Sequence, residues 1–282
     1  MTLEITLMWI TLAVYFVSTL MFVVGVIFTK ERLTHNALYA AAAGLAPQLA
    51  AVAVRWVRLG HGPYVGYYEV ANALTLFTMV LFVVAALRNT RLSAIGIGVM
   101  PVAVLLLGGA MLSSKADIPI TASLASYWLV IHVIFANMAF AAFVASFGLS
   151  IAYILRGRSP EARWAERLKA LPDQLRVEDL SVRFVLAGFL LWGMMIVSGA
   201  IWAEESWGRY WSWDPIETWS LIVWLIYAVF LHLRYTMRWK GERLAWFSVI
   251  SMPIALFCLI GIPTVYNTIH AGYIGGVEGQ LW

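Results

Sequence analysis

The sequence predicts an all-α integral membrane protein with about eight transmembrane helices and with both termini on the outer side. Of its 282 residues, 62% are hydrophobic and only 12% are charged, whereas soluble domains carry about 25% charged residues. Apolar runs of about 20 residues, the length that crosses a ~30 Å hydrocarbon core, recur along the whole chain. Lysine and arginine concentrate in alternate loops. These three observations define the fold class.

Eight apolar runs predict the helices in chain order. The first run can span a membrane and lacks the small-residue cleavage site of a signal peptide, so we interpret it as a retained helix. The fifth run is longer than a bilayer requires, which predicts a tilted or projecting helix. No repeat or linker divides the sequence, so we predict a single polytopic membrane domain over 1–282. The predicted spans are 5–29, 37–58, 71–88, 92–112, 127–155, 181–203, 219–236 and 245–266.

The distribution of basic residues predicts the orientation. Fifteen of the nineteen Lys and Arg residues lie in one set of alternate loops and helix ends, and only Arg55, Arg58, Lys115 and Arg209 lie in the other set. The positive-inside rule then places both termini and the loop at about 204–219 outside. A net charge of +4 would suggest nucleic acid in a soluble protein. Here the rule accounts for the charge, so we expect a lipid bilayer and no nucleic-acid partner.

The external loop between the sixth and seventh runs is rich in aromatic residues. It reads Trp207-Gly-Arg-Tyr-Trp-Ser-Trp-Asp-Pro-Ile-Glu-Thr-Trp219. Many planar rings in one loop predict a surface for a flat, apolar ligand. An aromatic belt at the membrane interface requires Trp and Tyr as well, but it does not explain the Asp-Pro and Glu set among the rings. The candidate binding residues are Trp207, Arg209, Tyr210, Trp211, Trp213, Asp214, Glu217 and Trp219.

Two histidines accompany this loop on the outer side. His132 lies near the outer end of the fifth helix, and His270 follows the eighth. Two imidazoles on opposite faces of a porphyrin would give bis-histidine ligation of haem iron. A neutral imidazole ligand needs a hydrogen-bond partner for its second nitrogen. Asp214 and Glu217 either supply that partner or tie the backbone of the loop, and Arg209 either pairs with a haem propionate or anchors the loop at the interface.

A third histidine predicts a second site. His232 lies thirteen residues after Trp219 on the seventh helix, which is about 20 Å deeper at 1.5 Å per residue. It therefore cannot share an iron with the outer pair. Arg234 and Arg238 follow it and would either meet propionates or serve only the topology. We interpret His35 and His61 as loop histidines without a role in ligand binding.

The segments from Ser126-Tyr-Trp-Leu-Val-Ile-His132 to Asn267-Thr-Ile-His270 resemble the haem-handling proteins of cytochrome c maturation, which share a tryptophan-rich WWD motif. The order Asp-Pro-x-Glu-Thr-Trp and the eight-helix layout most resemble the CcsA (ResC) family of system II cytochrome c biogenesis, rather than the six-helix CcmC type or the larger CcmF type. A weaker similarity covers Gly62-Pro63 to Tyr68-Glu69. The chain has Ile269-His-Ala-Gly-Tyr273 where that family usually has Leu-His-Ser-Tyr.

The resemblance implies a function and a set of ligands. His132 and His270 would ligate haem b against the tryptophan-rich loop, and His232 would hold haem on its way outward with a second ligand from a CcsB (ResB)-type membrane partner. The chain would translocate haem and present it to the Cys-x-x-Cys-His motif of apocytochrome c, in a bacterial inner (plasma) membrane or a thylakoid membrane. It offers no evident acid, base or nucleophile of its own, so its contribution to haem attachment would be positioning.

Two other functions remain open at this point. A membrane di-haem electron-transfer subunit exchanging electrons with quinone would also use histidines on both sides, but it predicts a second inner transmembrane histidine that the sequence lacks. A small-molecule transporter would show helices broken by Gly or Pro at corresponding positions of two halves, and no such symmetry is evident.

Overall fold

The computed structural model describes residues 2–28, 30–158, 173–266 and 268. Within these ranges the chain has no strand, and eight helical segments are long and apolar enough to cross a membrane. The all-α membrane fold predicted from the apolar runs is therefore confirmed. His270 lies outside the described residues.

The eight helices follow one another along the chain, and the connection between the fourth and the fifth contains the short 3₁₀ turn Ala122–Leu124. A short 3₁₀ segment, Thr90–Ile95, precedes the fourth helix, and the eighth continues through a π-helical turn, Phe257–Gly261, into the short helix Ile262–Val265. The helices are α1 (Thr2–Ile27), α2 (Glu31–Leu59), α3 (Gly66–Arg88), α4 (Gly96–Leu112), α5 (Tyr127–Arg158), α6 (Gln174–Trp207), α7 (Pro215–Tyr235) and α8 (Glu242–Leu256).

The helix ends extend beyond several predicted spans. Helix α6 has 34 residues, or about 51 Å at 1.5 Å per residue, and begins seven residues before the predicted start at 181. Helix α7 begins at Pro215 rather than 219 because Asp214 caps it. Polar turns at both ends of α6 belong to the helix although they are not apolar enough to register as membrane span. The apolar pattern therefore located the segments within the bilayer and missed the projecting turns.

The helices pack as two groups joined by α5. Helices α1–α4 surround a core that includes Tyr15, Phe22 and Leu74. Helices α5–α8 surround a second core with Trp192 and Phe230. Helix α5 packs on α3 and α4 as well as on α6 and α8, so it belongs to both groups. This arrangement places the N-terminal end of α5, which carries His132, next to the loops of both groups.

Polar contacts fasten the helices at both ends of the bundle. In the second group, the Ser146 hydroxyl lies 2.8 Å from that of Ser181 and 3.0 Å from that of Ser248, linking α5, α6 and α8. In the first group, Arg55 of α2 donates to Glu69 of α3 at 2.6 Å and to Glu4 of α1 at 3.1 Å. Lipid offers no partners to polar groups, so such groups must be satisfied within the protein. The Arg55 contacts lie at the C-terminal end of α2, beside the site described next.

Candidate functional site

A cavity opens between α5, α6 and the tryptophan-rich loop, with about 1130 Å³ of empty space when the part open to solvent is included. Apolar side chains and aromatic rings make up most of the wall. The ring-bearing residues that line it are Tyr64, His132, Trp202, Trp207, Tyr210 and Trp211, and its polar residues include Asn137, Glu217 and Ser220.

One hydrogen bond determines the tautomer of the neutral His132 ring. Its Nδ1 lies 2.8 Å from the carbonyl oxygen of Met195 on the neighbouring helix α6. A carbonyl only accepts hydrogen bonds, so Nδ1 carries the proton and Nε2 of the neutral ring keeps its lone pair. Metal-binding histidines usually have this arrangement, in which the second ring nitrogen donates to a carbonyl or carboxylate. His132 is therefore prepared to ligate a metal through Nε2.

Helix α6 approaches the His132 ring closely at a glycine. A Cβ atom added to Gly199 would lie 2.6 Å from His132 Nδ1 and 2.9 Å from Cε1, which is closer than non-bonded atoms approach. The absence of a side chain at Gly199 thus allows the ring to reach the Met195 carbonyl. The position of the His132 ring therefore depends on glycine at 199, because a side chain there would displace the imidazole.

Two tryptophans extend the wall from His132 toward the loop. The Trp202 ring centroid lies 6.3 Å from that of His132, and Trp202 and Trp207 meet edge to face at 4.9 Å. Trp202 Nε1 donates to the carbonyl of Ser123 at 2.7 Å, which fixes the ring against the α4–α5 loop. The result is a continuous aromatic surface with an imidazole at one end, suited to a planar apolar ligand.

The acidic residues of the tryptophan-rich loop stabilise its backbone. Asp214 accepts from the N–H of Ile216 at 3.1 Å, and Glu217 accepts from the N–H of Ser212 at 2.8 Å and of Asp214 at 3.2 Å. This is a capping box at the start of α7. Of the two roles left open by the sequence, both carboxylates have the backbone role, and the Met195 carbonyl is the partner of His132 Nδ1.

Removal of the cap is expected to loosen this loop. Asp214→Ala should lower the free energy of unfolding by about 1 kcal/mol and speed amide hydrogen exchange over residues 207–217. Asp173→Ala is the matched control, because Asp173 precedes α6 in the same position but makes no side-chain cap hydrogen bond. Thermal unfolding and hydrogen exchange in detergent measure both effects. Equal losses in the two variants would contradict the capping role.

The structure brings half of the loop candidates to the cavity. Trp207, Tyr210, Trp211 and Glu217 line it. The other four lie elsewhere: Arg209 is exposed, Trp213 is 70% exposed with a positive φ of 59°, Asp214 is buried as the cap, and Trp219 packs edge to face on Phe257 at 5.4 Å.

His232 is separate from this cavity. It lies near the C-terminal end of α7, is exposed, and is not among the lining residues. His35 is also exposed, whereas His61 is buried beside Glu69, with its Nδ1 3.8 Å from Glu69 Oε2. The expectation of two separate histidine positions is consistent with this placement.

Several cavity residues were not singled out from the sequence. Trp202, Gly199 and Met195 lie on α6, and Asn137 lies on α5, one turn deeper than His132. Tyr64 comes from the loop between α2 and α3. The only available signal was the weak family similarity of the segment from Gly62 to Glu69, which contains Tyr64 but assigns it no role.

Several known proteins are similar to this chain in sequence over most of its length. The family described as cytochrome C assembly protein matches residues 64–270. The cytochrome c biogenesis protein CcsA of Synechococcus sp. (strain RCC307) is 34% identical over 243 residues, covering 77% of this chain and 78% of that protein. This chain belongs to the CcsA family. Its similarity extends to CcsA of Synechococcus sp. (strain CC9605), at 33% identity over 81% of this chain and 86% of that protein, and to CcsA of Guillardia theta, at 29% over 77% and 78%.

The fold is also that of a longer solved protein. The structure described as cytochrome c heme lyase CcmF superposes on 96% of this CcsA-family chain with a TM-score of 0.68 and 17% identity. The chain spans 47% of the length of CcmF, so the likeness concerns the fold of one part of that protein. Membership of the CcsA family establishes a multi-pass membrane protein of cytochrome c maturation, and it favours this role over the electron-transfer and transporter hypotheses.

Proposed function

We propose that this chain binds haem b and carries it across the membrane as a subunit of a system II cytochrome c synthase. Haem would enter near His232 on the inner side and be held outside by His132 and His270. The tryptophan-rich loop would lie on the outer side, as the distribution of basic residues predicts. There the haem would meet the Cys-x-x-Cys-His motif of apocytochrome c.

The observation that carries this proposal is the fixed form of His132 in a wide aromatic cavity. The carbonyl of Met195 keeps the proton on Nδ1, so Nε2 is the nitrogen that can ligate iron. The surrounding rings of Trp202 and Trp207 offer flat apolar contact, and the cavity they line is open to the surface. The available ring nitrogen and the apolar aromatic wall thus both suit haem.

The proposed attachment chemistry requires little from the chain itself. Each cysteine S–H of apocytochrome c adds across one haem vinyl group, so a C–S bond forms, the hydrogen goes to the other vinyl carbon, and nothing is oxidised overall. Cys258 is the only cysteine of the chain and is buried. The contribution of the chain would be to hold haem beside the two thiols, which lowers the barrier through proximity and orientation.

The environment of His232 supports a partner subunit. It shares an exposed face of α7 with Ile222, Leu225 and Val229, within a helix of mean hydropathy 1.7. An ionisable side chain on an apolar membrane face is costly unless something covers it. We propose that a CcsB-type membrane protein covers this face and supplies the second haem ligand beside His232.

The absorption spectrum of the purified chain with its partner tests the outer site. The wild type is expected to co-purify with low-spin b-type haem, and His132→Ala is expected to lose most of that signal, with recovery on addition of imidazole. His35→Ala is the control, because His35 is exposed at the start of α2 and does not line the cavity. A wild-type complex without haem under haem-replete expression would contradict the proposal.

A further inference from the structure

The cavity wall contains two hydrogen-bond donors that have no acceptor among the residues the structure describes. One is Nε1 of Trp211, which is buried without a partner. The other is the hydroxyl of Tyr64, a partly exposed residue of the α2–α3 loop that makes no hydrogen bond to the described residues. An indole N–H can only donate. A buried donor without an acceptor is costly, so Trp211 points to a ligand that supplies an acceptor, and the Tyr64 hydroxyl is able to donate to the same ligand.

The charged residues near the cavity show which kind of hydrogen-bond donor its wall can offer. No Lys or Arg is found among the lining residues in the described part of the chain. Arg209, which the sequence offered as a propionate partner, is exposed and lies away from the wall. The carboxylate of Glu217 already accepts from the backbone of the loop. The described lining therefore offers only uncharged hydrogen-bond donors to a ligand with acceptor atoms.

The position of Tyr64 is fixed by the first group of helices. Its neighbour Val65 donates its backbone N–H to Glu69 at 2.9 Å, and Glu69 in turn accepts from Arg55 at 2.6 Å. The ring of His61 packs on that of Tyr64 at 5.6 Å. Burial, and then the negative charge of Glu69, raise the pKa of Tyr64. The phenol therefore stays protonated at any ordinary external pH and remains a donor.

We infer that Tyr64 and Trp211 donate hydrogen bonds to the carboxylates of the haem held in this cavity. This inference rests on the function proposed above, since it assigns the groups that recognise the polar edge of the same cargo. A neutral O–H or N–H bound to a carboxylate forms a charge-assisted hydrogen bond, but it lacks the bidentate ion pair that arginine makes. Such contacts orient haem and still allow its release, as a carrier requires.

A comparison of two ligands tests the inference. The complex is purified without haem and titrated with haem b and with its dimethyl ester, in which both carboxylates are esterified. Tyr64→Phe and Trp211→Phe are each expected to weaken haem binding about tenfold, the effect of one hydrogen bond to a charged acceptor. The Kd for the ester should change less than about twofold. Tyr67→Phe is the control, because Tyr67 lines a different hollow beside Gly109.

The outcomes separate this inference from the proposed function. Selective loss of haem affinity, with the ester unaffected, supports the assignment of Tyr64 and Trp211. Equal losses for both ligands in a variant that unfolds at the wild-type temperature, or no loss, overturn it while His132-dependent haem binding by the wild type still upholds the haem site. A wild type that binds neither ligand overturns both. The unfolding temperature is the folding control, since a misfolded variant would lose both ligands together.

Discussion

Gly199→Ala is expected to remove most haem from the proposed His132 site while leaving the protein folded. The new Cβ would lie 2.6 Å from His132 Nδ1, so the ring must turn and give up its hydrogen bond to the Met195 carbonyl. Loss of the hydrogen-bond partner of a metal-binding histidine typically costs about 10–100-fold in affinity. Haem titration of the purified complex, followed by absorption, measures the change.

The control for this variant is Gly108→Ala on α4. A Cβ there meets nothing within 4 Å, so the substitution should leave haem affinity unchanged and slightly favour the helix, since alanine is the better helix former. Both variants should unfold near the wild-type temperature. A Gly199→Ala protein with wild-type haem affinity would show that the contact with Met195 does not hold His132 in the ligating form.

Arg55→Leu is expected to have the largest effect on stability. Arg55 is buried and bridges Glu4 of α1 and Glu69 of α3, and both carboxylates are themselves buried. Removing the cation leaves them without their common partner. Breaking a buried ion pair in this way typically costs about 3–5 kcal/mol. We expect a large drop in the unfolding temperature and a low yield of intact protein from membranes.

Two comparisons sharpen this expectation. Arg183→Leu removes an exposed pair with Asp179 and should cost no more than about 1 kcal/mol. The triple variant Arg55→Leu with Glu4→Gln and Glu69→Gln should recover much of the loss, because no buried charge is then left unpaired. If Arg55→Leu lowered the unfolding temperature no more than Arg183→Leu does, the cluster of Arg55, Glu4 and Glu69 would have no part in holding α1, α2 and α3 together.

The helices were predictable because a bilayer imposes a length on apolar segments. Each predicted span coincides with one observed helix, and the errors lie at the ends. The first residues of α2 and α6 carry charged side chains, so their hydropathy resembles that of a loop although their backbone is helical. The early start of α7 was available from the sequence, since Asp214-Pro215 and Glu217 form a capping-box pattern.

The site was predictable only in part. His132 could be proposed because it stands among apolar residues near an aromatic loop. Gly199 and Met195 could not, because their contact with His132 depends on how α6 is rotated against α5, and a single sequence does not specify that rotation. Trp213 and Trp219 share the motif with Trp211 but do not line the cavity. Trp213 lies in the turn before α7, and Trp219 lies in the first turns of α7 and packs on Phe257.

The ion pairs of Arg55 with Glu4 and Glu69 bear on how much of this chain is needed for a stable fold. The region shared with the cytochrome c assembly family begins at residue 64, so it contains Glu69 but neither Glu4 nor Arg55. A fragment cut at that boundary would keep the wall residue Tyr64 and bury the neighbouring carboxylate without its counter-ion. The first two helices thus support a cavity that they do not line, and we expect the region that matches the family to require them for its stability.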